Sequence, residues 1–225
     1  MWSSADPPTP PGGPGPSWLG VHRPGDRSRT LRGTAGLTPR VTGPEVPSAS
    51  VGLRILRRVT SAVRLRPVRD ADLPEFFAHQ QDPQANWMAA FGPADPADRA
   101  AFDAHWARIR ADPRIVTRTV LVDDEVVGHV AAFPVDGRTE VSYWIDPRRW
   151  GRGHATAALA ALLRELPRGP VHARVAKDNR ASLAVLRKCG FVVVGEDSGY
   201  ADGRGAEVEE WVLELPADGT ELGDH

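Results

Sequence analysis

The hydrophobic and polar positions of this chain settle into a regular period only from residue 63 onward. Positions 63–68 alternate apolar residues with arginine and predict a strand, after which Asp70 stands where it can cap a helix carrying Leu73, Phe76 and Phe77. The segment 82–92 keeps neither period and reads as a loop, whereas 96–109 brings Phe102, Trp106 and Ile109 onto one helical face. Two strands follow at 116–122 and 125–133, joined by the tight turn Asp123-Asp124, and Val135-Asp136-Gly137 turns the chain into a third at 139–145. From His154, Leu159, Leu162, Leu163 and Leu166 recur at helical spacing until Pro167 ends the run. A strand at 171–176, a helix at 179–189 stopped by Gly190, and strands at 191–195 and 206–215 complete the series. This order predicts an α+β domain of about 150 residues. The strand at 139–145, the helix after it and the strand at 171–176 form a right-handed βαβ unit, so those two strands run parallel, and a ligand belongs beyond their carboxyl ends.

The chain before this domain has a different character. Residues 1 to about 50 are dense in Pro, Gly and Ser, as in Pro7-Pro8-Thr9-Pro10-Pro11-Gly12-Gly13-Pro14, and predict a disordered tail. The expected division is a tail and connector at 1–62, a folded domain at 63–216 and a flexible tail at 217–225. The arginines of the tail also suit a transit peptide, but its prolines oppose the amphipathic helix such peptides form. A coding start nearer Val51 or Val63 is a further alternative. Positions 51–62 read as a basic amphipathic helix, with a connector packed on the domain favoured over a membrane-surface helix. The net charge is −1 overall, yet residues 1–62 hold eight Arg and three acidic residues, which leaves −6 for the remainder. That balance argues against a generalised nucleic-acid surface. A single cysteine, Cys189, excludes an intrachain disulfide, and with no apolar run of membrane-spanning length and no secretory signal the expectation is a cytoplasmic protein without a membrane partner. No Cys/His cluster suggests a metal. Oligomeric state is not written in the sequence.

The strongest chemical signal is Arg148-Arg149-Trp150-Gly151-Arg152-Gly153-His154-Ala155-Thr156, a glycine- and arginine-rich turn between a strand and a helix. The first turn of a helix leaves backbone N–H groups without partners at the positive end of the macrodipole, so an anion is favoured there. Gly151 and Gly153 let the backbone approach it closely, and Arg148, Arg149 or Arg152 adds charge and forked donors. The plainer reading is a solvated basic turn. Trp150 is expected to pack under the loop rather than stack on a base.

These residues resemble a known family. Arg148-x-x-Gly151-x-Gly153 followed by Ala155-Thr156 is similar to the acetyl-CoA pyrophosphate loop of the GNAT superfamily of N-acetyltransferases, and Asn179-x-x-Ser182 with Lys188-Cys189-Gly190-Phe191 resembles the segment that lies against the pantetheine arm in those enzymes. The pair occurs in the family's order and spacing, and the likeness extends over about 63–215. Within the superfamily, 140–145 with Trp150-Gly151 and the pattern at 182–191 is most similar to the ribosomal-protein N-terminal-alanine acetyltransferase branch. The resemblance implies a mixed, mostly antiparallel twisted sheet of six to seven strands around a central parallel pair, with about four flanking helices. It also implies acetyl transfer from acetyl-CoA to an amine, a small molecule or a protein N-terminus, by direct attack in a ternary complex. On this reading the donor is held by backbone N–H groups from Gly151 to Thr156, His154 included, by the arginines, and by Asn179 near the pantetheine. A backbone N–H near Trp144 or Ile145 would receive the oxyanion.

The reaction sets further demands. An amine must lose a proton before or during attack, and a lysine amine with pKa ~10.4 is only ~0.04% neutral at pH 7, against ~14% for an α-amine near ~7.8. The difference is about 3.5 kcal/mol of barrier that an α-amine spares the enzyme. Glu140, on the strand bordering the expected reaction centre, is the candidate general base, with a solvent-facing strand residue as the alternative; His79, His105 and His129 are reserves that read more readily as structural. Strand alternation sends Ser142 and Tyr143 to opposite faces, so at most one shares the side of Glu140. Many relatives place a tyrosine acid on the later helix where this chain has Leu186, which leaves Ser182 or water as the proton donor to the thiolate. Asn179 reads equally as a helix cap, and Cys189 as a buried small apolar residue rather than a nucleophile. Segments 82–92 and 96–109 are expected to shape the acceptor groove. Two rival readings stand beside this one: a non-catalytic acyl-CoA-binding regulatory module, and a nucleotide-phosphate site that lacks the Lys-Ser/Thr ending of a P-loop.

Overall fold

The computed structural model describes residues 62–217, so the expected tail, the connector helix at 51–62 apart from its last residue, and all but the first residue of the expected C-terminal tail lie outside the described residues. The elements run β1 (Val63–Pro67), α1 (Leu73–Gln80), α2 (Pro83–Ala89), α3 (Arg99–Ala111), β2 (Val116–Val122), β3 (Glu125–Val135), β4 (Arg138–Ile145), α4 (His154–Glu165), β5 (Val171–Ala176), α5 (Arg180–Lys188), β6 (Val192–Ala201) and β7 (Ala206–Leu215). Short 3-10 turns at Asp70–Asp72 and Pro147–Arg149 lead into α1 and away from β4. The strands make one seven-stranded sheet in the order β1-β2-β3-β4-β5-β7-β6. Every neighbouring pair is antiparallel except β4 with β5. The α+β expectation and its central parallel pair therefore hold.

Three elements differ from the sequence reading. The expected loop at 82–92 contains α2, started by Asp82, whose carboxylate accepts the Ala85 N–H at 2.9 Å, with Pro83 at the first helical position. This brings the α-helices among the described residues to five. Helix α3 starts at Arg99 rather than 96 because Asp98 caps it through the Ala101 N–H. Strand β6 continues to Ala201 across Glu196-Asp197-Ser198, pairing with β7 throughout that stretch. The β2–β3 turn is the expected tight one, with Asp123 and Asp124 both at positive φ (52° and 65°), the primed geometry that matches strand twist.

Alternation along the strands divides the core into two layers. On one face Val127, Val130, Ala132, Val141 and Ile145 pack with Leu159 and Leu162 of α4 and Leu186 of α5. On the other, Ala131 and Phe133 meet Ile109 of α3, while Phe76, Phe102 and Trp106 form an aromatic cluster that His129 meets edge-on at Trp106 and tilted at Phe76. Burial of several large apolar side chains, each contributing about 1.5–3 kcal/mol, holds both layers to the sheet.

Candidate functional site

Strands β4 and β5 are in register at only two positions, Thr139 with Val171 and Glu140 with His172. Beyond them β5 stays with β7 and leaves β4, opening a cleft of about 400 Å³ through the sheet. The Asp146 N–H donates to the Val127 carbonyl at 2.9 Å, so by antiparallel alternation the even residues of β4 direct their backbone groups to β3 and the odd ones away from it. Tyr143 and Ile145 thereby turn their N–H groups to the opening, whereas the backbone N–H of Trp144, the other expected oxyanion donor, faces β3. The Ile145 carbonyl accepts the Trp150 indole N–H at 2.7 Å, which ties the loop to the end of β4, while Trp150 itself is 38% exposed and lines the cleft rather than being buried under the loop.

One mouth of the cleft is the loop before α4. Gly151 (φ 71°) and Gly153 (φ 83°) both adopt the left-handed conformation, and a Cβ at either would meet nothing within 4 Å. The requirement for glycine is thus conformational rather than steric. Gly153 is the residue before the helix, no side chain caps α4, and the first intrahelical bond runs from the Ala157 N–H to the Gly153 carbonyl. His154, Ala155 and Thr156 therefore bring first-turn amides to a cleft that they line. Arg149 also lines it and pairs with Glu125. Arg148 instead turns to Asp146, with Nε at 3.0 Å from Oδ1, and neither Arg148 nor the exposed Arg152 lines the cleft.

The α5 wall carries Asn179 and Ser182. The Asn179 carboxamide is used at both ends: its oxygen caps α5 by accepting the Ser182 N–H at 2.9 Å, and its nitrogen donates to the Met88 carbonyl at 2.9 Å, tying α2 to α5. The Ser182 Oγ lies 2.7 Å from the Tyr143 hydroxyl, which reaches across from β4. Burial pushes that phenol above its ordinary pKa. Leu186 is buried in the core. Cys189 is also buried, its Sγ 3.6 Å from the Thr156 carbonyl, and burial raises the thiol to about 11. A neutral thiol of this kind suits the structural role expected of it.

The other mouth is floored by charge on the opposite face of the sheet, where Glu140, Ser142 and Trp144 point. Glu140 is 6% exposed and lies 3.4 Å from the Arg174 Nε; burial raises its carboxyl above the ordinary range, while Arg174 acts against the rise. Arg174 Nη1 also bonds Asp197 at 2.6 Å and approaches Glu210 at 3.9 Å. Sequence reading missed Arg174 and Glu210. Above them lies α2, fixed by the bond from Asn179, by the Gly203 N–H to the Ala90 carbonyl and by Arg204, which bonds the Trp87 carbonyl and stacks on its ring. Ala85, Met88 and Phe91 of segment 82–92 line the cleft, whereas no residue of α3 does, so the expected contribution of 96–109 to that groove is not seen; its buried face packs on the core. Of the reserve histidines, His129 reaches the cleft wall, but burial depresses His105 to about 2 and His129 to about 3, and also lowers His79. They are neutral near pH 7. Among the described residues no three His, Cys, Asp or Glu side chains gather in a way that could hold a metal ion.

A family model for the acetyltransferase (GNAT) domain matches residues 62–192, more than half of the chain. The chain belongs to the GNAT acetyltransferases. Its fold is shared with solved structures. RimJ of Mycobacterium smegmatis in complex with CoA-disulfide has 26% identity over 73% of this chain and 86% of that one, with a TM-score of 0.60. A GNAT-family acetyltransferase from Bacillus anthracis has 16% identity, covering 70% and 96%, with a TM-score of 0.58. Spermidine N-acetyltransferase from Vibrio cholerae in complex with CoA and spermine has 15% identity, covering 71% and 98%, again at 0.58; these last two likenesses concern the fold alone. No curated relative matches the sequence. As a GNAT acetyltransferase the chain uses acetyl-CoA as its donor. Among the described residues no helix is long and apolar enough to cross a membrane.

Proposed function

We propose that residues 63–216 form the catalytic domain of a cytoplasmic N-acetyltransferase that moves the acetyl group of acetyl-CoA to a primary amine by direct attack in a ternary complex. The observation that carries this reading is that one cleft, passing through the sheet where β4 and β5 part, joins the open first-turn amides of α4 to a buried carboxylate floor. The donor's pyrophosphate belongs on the amides from Gly151 to Thr156 with Arg149 beside it, and Arg148 and Arg152 supply longer-range attraction from the rim. The thioester carbonyl belongs against the Tyr143 and Ile145 N–H groups, which stabilise the oxyanion as it forms. The amine enters beneath α2, and Glu140 takes its proton as the N–C bond forms, directly or through water. Ser182, linked to the Tyr143 hydroxyl, returns a proton to the departing thiolate.

A protein or peptide N-terminus is the acceptor we favour, ahead of a small amine. The likeness of 140–145 and 182–191 to the N-terminal-alanine branch supports it, as does the higher neutral fraction of an α-amine. An acceptor screen over peptide N-termini, lysine peptides and small amines, read by release of free CoA thiol, tests the activity. Turnover that falls by orders of magnitude in Glu140→Gln, with acetyl-CoA binding retained by calorimetry, is the expected result. Tight acetyl-CoA binding with no turnover on any amine would establish the regulatory module instead.

A further inference from the structure

Acetylating an ammonium removes two protons from nitrogen. R–NH3⁺ must first become R–NH2, because its lone pair is needed for attack; the new C–N⁺ centre then sheds a second proton as the C–S bond breaks. One of these ends on the thiolate as CoA-SH and the other leaves with the enzyme's base. A single carboxylate would have to be emptied between the two steps. The floor of this cleft holds two.

We propose that Glu210, on β7, is a further catalytic residue that takes the first proton, converting the entering ammonium to the free amine, while Glu140 takes the second. This inference rests on the transferase reading above. Glu210 and Glu140 line the same cleft, from strands on either side of β5. Glu140 is hydrogen-bonded to Arg174, which favours its ionised form. Glu210 is 2% exposed, and its Oε2 has no hydrogen-bond partner among the described residues, with Arg174 Nη1 at 3.9 Å. A buried oxygen left without a partner is destabilising. An ammonium beneath α2 supplies the missing donor. The charge count agrees: Glu140, Asp197 and Glu210 surround one guanidinium, so the floor has room for a cation.

Asp197 of β6 and Glu140 of β4 raise the proton affinity of Glu210, Arg174 of β5 lowers it, and α2 brings only Ala85, Met88 and Ala89 to the cleft. Burial dominates and lifts the Glu210 carboxyl to about 8. That value lies close to an α-amine near ~7.8, so the first transfer is nearly balanced, whereas an amine at ~10.4 gives up its proton about 400-fold less readily than that α-amine. The site is thereby matched to α-amines.

The test is the pH dependence of kcat/KM for the best acceptor of the screen, with a lysine peptide blocked at its α-amine as the high-pKa probe. With that probe the wild type is expected to rise through about pH 8, where Glu210 is half ionised, and to level off above it. Glu210→Gln is expected to lose about 10²-fold or more at pH 7 and to keep rising toward the amine's own pKa. Glu210→Asp should restore the plateau at lower height. Asp197→Asn supplies a second measurement, readable with any acceptor: removing that charge should move the acidic limb to lower pH. A uniform loss at every pH in Glu210→Gln, or an acidic limb unmoved in Asp197→Asn, overturns the inference and leaves the transferase reading standing. A wild type that acetylates no amine overturns both.

Discussion

Replacing Gly153 by alanine isolates the mouth of the cleft proposed to bind the pyrophosphate. The residue sits at φ 83° and ψ 0°, immediately before α4, and an added Cβ would meet no atom within 4 Å. The only penalty is therefore the left-handed conformation itself, roughly 1–2 kcal/mol for a residue with a Cβ. The loop can meet it in two ways: keep the turn under strain, or relax to negative φ and swing the His154, Ala155 and Thr156 amides off their common direction. Binding of a pyrophosphate requires the first state. Acetyl-CoA affinity should thus fall by about 5–30-fold, at about 1.4 kcal/mol per decade. Calorimetry with acetyl-CoA measures this, and acetyl-pantetheine, which lacks the pyrophosphate, serves as the control. Its KM should stay within about twofold, since 1–2 kcal/mol confined to the phosphate cradle leaves the splay untouched. Gly153→Asn should lose less than Gly153→Ala, because asparagine tolerates the left-handed region better. Equal losses for both donors, or none for acetyl-CoA, would refute the assignment of this turn to the pyrophosphate.

Three further outcomes follow from the geometry. Tyr143→Phe removes the partner of Ser182 at 2.7 Å and should cost about 0.5–1.5 kcal/mol of stability, read as a thermal shift of a few degrees, with a larger fall in kcat than in acetyl-CoA affinity if the pair delivers the thiolate proton. Gly128→Ala would place a Cβ 2.0 Å from the Trp144 carbonyl oxygen, so the melting temperature should drop by an amount corresponding to at least about 1–3 kcal/mol; an unchanged melt would contradict the close β3–β4 approach. Since His105 and His129 are held neutral, the unfolded chain binds more protons than the folded one below pH ~6.5, and stability falls with acid from there down toward the folded values of about 2 and about 3. At pH 5 the two together should cost about 4 kcal/mol, seen as a lower urea midpoint, and His129→Phe should reduce the slope by about 1.4 kcal/mol per pH unit.

The glycine turn before α4 was legible because its information is local. A strand, two glycines and a leucine-periodic helix stand within 28 consecutive residues, 139–166, and local pattern alone fixes their geometry. Asp123-Asp124 was legible for the same reason. Helix α2 was not, because its seven residues are too few to show a period, although Asp82-Pro83 carried the start signal. The second half of β6 was hidden by polarity: Asp197 turns inward to Arg174, so an acidic residue occupies a position where alternation would look for an apolar one. Arg174 and Glu210 share that concealment. Each follows the period of its strand, opposite Val212 and Ala176, and so reads as an error in the pattern rather than as a site. Only the sheet order, which sets β7 between β5 and β6, brings Asp197, Glu210, Arg174 and Glu140 together from four strands.

The same sheet order would bring the proposed donor and acceptor chemistry to one point. Strand β5 makes six registered pairs with β7 and two with β4, so the twist of the sheet carries β5 along with β7 and strips β4 of its neighbour after Glu140. Alternation then gives the remaining residues of β4 two separate duties. The odd residues keep their side chains in the α4–α5 core and turn their amides to the opening, while the even ones stay bonded to β3 and direct side chains to the face beneath α2. A one-residue slip of β4 against β3 would exchange these roles, burying Glu140 in the aliphatic layer and turning Tyr143 away from Ser182. On the proposed mechanism the tight Asp123-Asp124 turn and the 2.0 Å limit at Gly128 therefore bear on catalysis as well as on stability, since they hold the register that aims backbone N–H groups of β4 and the Glu140 carboxylate into the same gap.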